Sequence, residues 1–177
     1  MSEDVRRWRV GGAIVESDRR LALVRNVRRD GRFDWTTPGG VIEAHEDVLT
    51  GLGREVAEET GLVVEHWHGL CYQVQVQAVD LGWLLTVEVH RARSFTGDLC
   101  TGDDPDGIVV EAEWTTPDRL ADRLASTQPW VREPLLGWVD GRWEEPRRFA
   151  YRMLGTELGS ISVEDAPWLE GTPPDGT

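Results

Sequence analysis

Lysine is absent from this sequence of 177 residues, and all 19 of its basic residues are arginine. A phosphate-binding loop of the GxxxxGK[ST] type, a Schiff base and a lysine general base all require the primary amine of lysine. Those three chemistries are therefore excluded. If the protein is an enzyme that acts on phosphate groups, it must use carboxylates, a metal ion and guanidinium groups.

Long apolar segments and cysteine pairs are also missing. No stretch approaches the roughly 18 apolar residues of a membrane span, and the charged N-terminus MSEDVRRWRV lacks the apolar centre of a signal peptide. We therefore expect a cytoplasmic protein that has no contact with a membrane. Cys71 and Cys100 have no metal-binding spacing around them, and we interpret them as unpaired thiols without a catalytic role.

Basic residues are outnumbered by acidic ones, which gives a formal net charge of −13. This charge argues against a nucleic-acid polymer as partner, because clustered basic residues supply most of the affinity for such polymers. Part of the excess is local, since the chain after residue 156 contains acids and no base. An anionic small molecule remains compatible with the charge if a metal ion or a group of arginines neutralises it locally.

The length fits one well-buried domain, and the hydrophobic patterns divide it into strands and helices. Strands are predicted from alternating or β-branched segments at 7–16, 20–25, 62–79, 83–93, 108–114 and 147–154. Helices are predicted at 47–60, 116–125 and 129–139, the last kinked or divided by Pro134. We expect an α/β or α+β domain with a mixed sheet over residues 1–155. The acidic, Gly- and Pro-rich residues 156–177 are expected to be a loosely ordered tail.

The helix at 47–60 carries three glutamates on one face. Glu55, Glu58 and Glu59 are spaced i, i+3 and i+4, so their charges repel one another. A solvated helix face is one interpretation. The other is a divalent cation, since Mg²⁺ prefers one or two carboxylates together with water and phosphate oxygens. Arg54 can reach Glu58 or turn toward the preceding loop, where Glu46 is its natural partner.

The wider spacing distinguishes these two interpretations. Every position of a longer signature is filled, namely Gly40, five residues, Glu46, seven residues and then Arg-Glu-apolar-x-Glu-Glu-x-Gly-apolar. This signature resembles that of the Nudix hydrolases. The resemblance extends loosely over about residues 7–155. It implies a Nudix-type α/β/α sandwich around a mixed β-sheet, and hydrolysis of a diphosphate bond in a nucleoside diphosphate linked to another group.

The resemblance also implies the roles of individual residues. The carboxylates of Glu55, Glu58 and Glu59 bind Mg²⁺ or Mn²⁺, and the Gly40 carbonyl joins them. Glu46 and Arg54 hold the loop against the helix. The base that activates water is one of the helix glutamates or an acidic residue further along the chain. For the latter we favour Glu111 over the two other acids of its region, Asp106 and Glu113.

The sequence indicates less specifically which residues bind the rest of the substrate. The arginines that precede the signature are candidates for phosphate contacts or belong to a solvated loop: Arg25, Arg28, Arg29 and Arg32. Three tryptophans are candidates for stacking on a base or belong to the core: Trp8, Trp35 and Trp83.

Two functions follow from these observations. The first is a Mg²⁺-dependent diphosphatase for a nucleoside triphosphate, an oxidised one included, which releases the monophosphate and pyrophosphate, or for a nucleotide sugar such as ADP-ribose. The alternative is a catalytically silent Nudix domain that senses a nucleotide ligand. The complete carboxylate set favours the enzyme, and the short chain favours the triphosphate slightly. The sequence does not indicate an oligomeric state.

Overall fold

The structure, a computed structural model, describes residues 5–102, 104–156 and 161–170. In these residues the strands are β1 (Arg6–Ile14), β2 (Glu16–Ser17), β3 (Arg20–Val27), β4 (Phe33–Thr36), β5 (Val63–Ala78), β6 (Trp83–Thr96), β7 (Val109–Thr115), β8 (Arg147–Leu154) and β9 (Ser162–Asp165). The helices are α1 (Val48–Thr60), α2 (Pro117–Arg123) and α3 (Pro129–Gly141). The predicted strands and helices are therefore present, with small differences at their ends.

The main sheet has the strand order β1-β6-β5-β8-β9 and contains both kinds of pairing. β1 runs parallel to β6 and β5 runs parallel to β8, whereas β5 pairs with β6, and β8 with β9, in antiparallel fashion. A second group of strands is centred on β3, which pairs antiparallel with β2, β4 and β7. The predicted mixed sheet is confirmed.

Neighbouring residues of β1 face two different cores. Ile14 packs into a core with Leu120 of α2 and Leu135 of α3, whereas Ala13 packs into a second core with Leu52 of α1. Because successive side chains of a strand point to opposite faces, α1 lies on one face of the sheet and α2 with α3 on the other. This arrangement is the predicted α/β/α sandwich.

Helix α1 begins and ends with local signals of the sequence. The Asp47 carboxylate caps the first turn by accepting hydrogen bonds from the amides of Leu49 and Thr50, both at 3.1 Å. Leu52 and Val56 are fully buried, which fixes the orientation of the helix on the sheet. Gly61 follows in the left-handed conformation with φ of 70° and closes the last turn.

Pro134 does not divide the helix that contains it. The structure has one helix, α3, through this position, with Pro134, Leu135 and Trp138 buried. Burial of this apolar face against the sheet offsets the backbone hydrogen bond that proline cannot donate. Of the two predicted effects of Pro134, division of the helix was wrong for this reason, and a kink stays a prediction.

The predicted loose tail is ordered over its described part. Residues 162–165 form β9 at the edge of the main sheet, and the amide of Leu169 donates to the Gln75 Oε1 at 2.8 Å. The side-chain amide of Gln77 donates to the Pro167 carbonyl at 2.9 Å. The tail was predicted from composition alone, and these two buried glutamines supply the hydrogen bonds that composition does not reveal. The rest of the predicted tail, 157–160 and 171–177, lies outside the described residues.

Among the helices of the described residues, none combines the length and the apolar character that crossing a membrane requires. The cytoplasmic location stays a prediction from the sequence.

Candidate active site

A cleft of about 770 Å³ opens between the sheet, the start of α3 and the loop before β7. Its floor is apolar and comes from three neighbouring strands of the main sheet: Val10 of β1, Val74 of β5, and Leu85, Val87 and Val89 of β6. At one end lie the turn glycines Gly39 and Gly40 with Glu55 and Glu59 of α1. A flat apolar surface therefore meets a group of carboxylates within one cavity.

Arg54 is the hub of the acidic face of α1. Its guanidinium lies 2.8 Å from the Glu46 carboxylate, 2.9 Å from that of Glu55 and 3.1 Å from that of Glu58. The Arg54–Glu46 ion pair predicted from the sequence is therefore present. The hydrogen bond from Arg54 lowers the pKa of Glu46, and these bonds raise the pKa of the guanidinium. One cation thus offsets the repulsion between Glu55 and Glu58 and fixes the loop on the helix.

Gly51 allows this loop to approach the helix. A Cβ atom at position 51 would lie 2.6 Å from the Glu46 Oε1, the oxygen that Arg54 binds. At Gly53, on the same helix, a Cβ atom would meet no heavy atom within 4 Å. Close packing therefore explains the first glycine, and nothing in the described structure explains the second.

Glu59 is a buried carboxylate without a cationic partner among the described residues. It is 8% exposed, and its Oε2 accepts a hydrogen bond of 2.8 Å from the backbone amide of Gly39. Burial raises the pKa of Glu59 to about 8, the Gly39 hydrogen bond opposes this shift, and the charges of Glu55 and Asp104 add to it. Burial also raises the pKa of Glu55. In the metal-free protein Glu59 therefore keeps its proton at neutral pH, and ionising it in the wall of the cleft costs free energy.

The residues at this end of the cleft fit a hard divalent cation. Carboxylate and carbonyl oxygens are the donors that Mg²⁺ and Mn²⁺ prefer, and a cation bound there would stabilise the ionised form of Glu59, which burial disfavours. A Cβ atom at Gly40 would overlap the Glu55 carboxylate, so only glycine lets this carboxylate approach the backbone of the turn. The chemistry of the oxygen donors and the space beside the Gly40 backbone therefore both suit a divalent cation.

In the metal-free protein the carboxylates of Glu55, Glu58 and Glu59 do not point toward a common position. Within the described parts of the chain, no group of three acidic, histidine or cysteine side chains forms a ready metal-binding cluster. The reason is visible in the contacts, since Arg54 binds Glu55 and Glu58 while the Gly39 amide binds Glu59. Binding an ion at this position would therefore require Glu55 and Glu58 to exchange Arg54 for the ion.

The loop before β7 brings further acids to the cleft. The amide of Gly102 donates to the Glu59 carbonyl at 3.0 Å, which fastens this loop to the end of α1. Asp104 and Asp106 line the cleft. Asp104 was not predicted, although the run of aspartates in CTGDDPDG was a signal that could have found it. Its carboxylate accepts hydrogen bonds from the amides of Ile108 and Val109, so it also shapes the loop.

Glu111 and Glu113 lie outside the lining of the cleft. Glu111 pairs with Arg25 at 3.4 Å, and Glu113 pairs with Arg123 at 2.6 Å. Of the three acids considered in this region, the structure brings Asp106 to the cleft. A catalytic role of Glu111 stays a prediction.

The predicted arginines differ in their positions. Arg28 and Arg32 line the cleft, where Arg28 makes two hydrogen bonds of 2.7 and 2.8 Å to Asp34. Arg32 is held by Asp30 at 2.7 Å. Arg25 lies over the ring of Phe33 at 4.2 Å. Arg29 is exposed and lies outside the cleft lining.

The aromatic lining of the cleft was missed in the sequence. Phe33, Tyr72 and Trp130 line the cleft, but none was predicted, because their positions depend on how β4 and α3 pack on the sheet. Trp35 is 8% exposed and belongs to the core, and Trp83 packs against the same core. Trp8 is 44% exposed and lies outside the cleft lining.

The two glycines of α1 provide a test of the loop–helix contact. In Gly51→Ala the new Cβ displaces the Glu46 carboxylate from Arg54, so we expect the free energy of unfolding to fall by about 1 kcal/mol and turnover to fall as well. The matched control Gly53→Ala should raise the free energy of unfolding by ~0.5–1 kcal/mol, because alanine favours the helix. Urea denaturation and a nucleotide hydrolysis assay measure both. Equal effects of the two substitutions would contradict the assigned contact.

The raised pKa of Glu59 gives a pH dependence with a definite sign. Between the ordinary value of 4.5 and about 8, the metal-free folded protein keeps a proton that the unfolded chain has released. The free energy of unfolding should therefore decrease as pH rises through this range. Glu59→Gln, which keeps an acceptor for Gly39, should remove this part of the slope. Urea denaturation in the presence of a chelator, from about pH 5 to about pH 8, compares the two proteins, and identical slopes would refute the burial effect.

The chain is similar to known proteins. The NUDIX domain matches residues 5–138. The chain is 33% identical over 118 residues to a MutT-like protein of Streptomyces ambofaciens, with 66% of this chain and 68% of that protein covered. It is 29% identical over 159 residues to an RNA pyrophosphohydrolase of Thioalkalivibrio sulfidiphilus, with 86% and 83% covered.

A solved structure agrees with the fold. The crystal structure of a MutT NUDIX hydrolase from Burkholderia pseudomallei superposes with a TM-score of 0.61 at 25% identity and covers 73% of this chain and 96% of that one. The domain match extends over well more than half of the sequence and includes the whole glutamate signature. From the sandwich fold, the acidic helix at the cleft and this match together, we conclude that the chain belongs to the Nudix hydrolase family.

Proposed function

We propose that the protein hydrolyses a diphosphate bond in a nucleoside diphosphate derivative with the help of Mg²⁺ or Mn²⁺. The observation that carries this proposal is the buried carboxyl group of Glu59, which has no cationic partner among the described residues, at the end of a cleft with an apolar floor. Family membership supports it, since the relatives include a pyrophosphohydrolase. A nucleoside triphosphate, an oxidised one included, is the favoured substrate, and a nucleotide sugar such as ADP-ribose is the other.

The acidic face of α1 would hold the metal. Glu55, Glu58 and Glu59 would supply carboxylate oxygens, and Gly40 would supply the second lone pair of its carbonyl, which already accepts a hydrogen bond from the Gly11 amide at 2.9 Å. When bound there, the ion neutralises charge on the diphosphate and lowers the pKa of a bound water. Before the metal binds, Arg54 pairs with Glu55 and Glu58 and offsets their repulsion, and Glu46 keeps Arg54 in place.

The remaining side chains bind the substrate and move a proton. Arg28 and Arg32, at the rim, suit phosphate oxygens because guanidinium donates two parallel hydrogen bonds. Phe33 and Trp130 border the apolar floor, where a base would pack. A carboxylate must take the proton of the attacking water. Asp106 in the cleft wall is a candidate for this base in addition to the glutamates of α1.

Neutral substitutions of the α1 glutamates test the proposed chemistry. Glu58→Gln and Glu59→Gln keep the size of the side chain but remove a charge that the metal needs, so turnover should fall by at least ~100-fold with the fold intact. The assay measures release of phosphate, pyrophosphate or monophosphate with and without Mg²⁺, and circular dichroism checks the fold.

The assay uses a panel of substrates and a matched control. The panel contains nucleoside triphosphates, their oxidised forms, ADP-ribose and, because one relative is an RNA pyrophosphohydrolase, an RNA with a 5′-triphosphate. Glu65→Gln, at an exposed position of β5, should leave turnover unchanged. Near-wild-type activity of both α1 variants would reject the assignment.

The same panel separates the enzyme from a nucleotide sensor. A sensor would bind one ligand tightly and release no product from any member of the panel. The charged contacts of α1 favour the enzyme, since ligand sensing alone has no need for three carboxylates beside the cleft. The exclusion of nucleic-acid polymers, inferred from the net charge of −13, stays a prediction that the 5′-triphosphate RNA tests.

A further inference from the structure

The wall of the cleft that β3 and β4 form contains a buried side-chain amide. Asn26 of β3 lines the cleft and is only 5% exposed. It lies opposite Asp34 in the antiparallel pairing of the two strands. Its Nδ2 atom donates one hydrogen bond of 3.3 Å to the Asp34 Oδ1 and another of 3.0 Å to the Thr36 Oγ1. Both hydrogens of the amide nitrogen are therefore used within the protein.

The Asp34 carboxylate fixes the orientation of this amide. Arg28 donates to both oxygens of Asp34, at 2.7 and 2.8 Å, and a carboxylate held in such an ion pair only accepts hydrogen bonds. If the Asn26 amide turned over, its oxygen would face the Asp34 oxygen, and two acceptors repel each other. The protein therefore leaves the Asn26 Oδ1, an acceptor, as the atom of this amide that a ligand can bind.

The Asn26 Oδ1 has no donor within the protein. Among the described residues, none donates a hydrogen bond to it. In the same part of the chain, the fully enclosed side-chain atom without a partner is the Nδ1 of His90, so the Asn26 Oδ1 keeps access to the cleft. An acceptor that is mostly shielded from water and lacks a donor costs free energy. A ligand that brings an N–H group to this atom removes that cost.

The position of Asn26 in the cleft suits contact with a nucleobase. Thr36, which Asn26 binds, precedes Gly39 by three residues, and the Gly39 amide binds Glu59 at the acidic end of the cleft. Three residues of chain span at most roughly 10 Å, an interval that the phosphates and the sugar of a nucleotide can occupy. The apolar floor beside this wall comes from three neighbouring strands, so it is roughly 10 Å wide and accommodates the two rings of a purine.

We propose that Asn26 determines the base specificity of the cleft, with its Oδ1 accepting a hydrogen bond from the amino group of a 6-aminopurine nucleotide. The inference rests on the proposed function, because it assumes that the base lies on the apolar floor while the phosphates lie at α1. Asp34 is a positioning residue that acts through Asn26. A purine with a carbonyl group in place of the amino group sets one acceptor against another and is disfavoured. An adenine nucleotide that is oxidised elsewhere on the ring keeps the amino group and stays within this substrate class.

Binding measurements with matched nucleotides test the inference. ATP is compared with purine riboside triphosphate, which lacks only the amino group, and with ITP, which has a carbonyl group in its place. Calorimetry uses the Glu58→Gln background, which slows turnover during the titration. ATP should bind at least roughly tenfold more tightly than either of the other two nucleotides, because both leave the Asn26 Oδ1 without a donor.

Substitutions then show whether Asn26 causes this preference. In Asn26→Ala the ratio of the dissociation constants of ITP and ATP should fall to near one. Asp34→Asn leaves Asn26 intact but supplies an amide that can donate to the Asn26 Oδ1, so either orientation of Asn26 is satisfied and the ratio should again fall. Asp30→Asn is the matched control, since it removes the same charge from the carboxylate that holds Arg32. It should leave the ratio unchanged.

Three results would overturn the inference. They are ATP binding no more tightly than purine riboside triphosphate, a ratio that Asn26→Ala leaves unchanged, and tighter binding of GTP than of ATP. A merely structural role of Asn26 would weaken the binding of all these nucleotides by the same factor, which counts as the second result. Circular dichroism checks the fold of each variant, and Asp34→Asn carries the test if Asn26→Ala does not fold.

Hydrolysis by the protein with an intact Glu58 is measured separately. Failure of the proposed chemistry would be seen as no product from any nucleotide, whereas failure of this inference would be seen in the ratio of dissociation constants.

Discussion

Electrostatic repulsion among the glutamates of α1 is the constraint on which the site depends. Arg54 offsets the charges of Glu55 and Glu58 by direct contact. Glu59 is bound instead by a neutral amide and is buried, so its charge is costly until a cation arrives. Burial therefore keeps Glu59 protonated near neutral pH in the metal-free protein. We propose that a divalent cation bound at this end of the cleft stabilises the ionised carboxylate.

The fold brings the other components to that charge by close packing. The turn after β4 reaches β1, where the amides of Gly11 and Ala13 donate to the carbonyls of Gly40 and Pro38 at 2.9 and 2.8 Å. The loop before β7 is fastened to the end of α1 and carries Asp104 into the cleft. The glutamates of α1, the arginines Arg28 and Arg32 and the apolar floor thus border one cavity, although they come from distant parts of the sequence.

The local parts of this arrangement were predictable and the long-range parts were not. Helix α1 has a capping aspartate, a repeating apolar stripe and a terminal glycine, so short-range rules suffice to predict where it begins and ends. The spacing from Gly40 to Glu59 specifies its acidic face. The roles of Phe33 and Trp130 depend on tertiary packing that no periodicity encodes. The order of residues 161–170 depends on hydrogen bonds to Gln75 and Gln77, which lie far away in the sequence. Pro134 shows the same limit of sequence-based prediction, because burial of the apolar face of α3 outweighs the local tendency of proline to interrupt a helix.

The central claim is that the acidic face of α1 holds a divalent cation, and anomalous diffraction from a crystal soaked in Mn²⁺ with a nucleotide tests it most directly. The account predicts an anomalous peak within coordination distance, roughly 2.0–2.2 Å, of oxygens of Glu55, Glu58 or Glu59, with the Arg54 guanidinium moved away from at least one of them. A map without any peak beside these side chains, at full nucleotide occupancy, would contradict it.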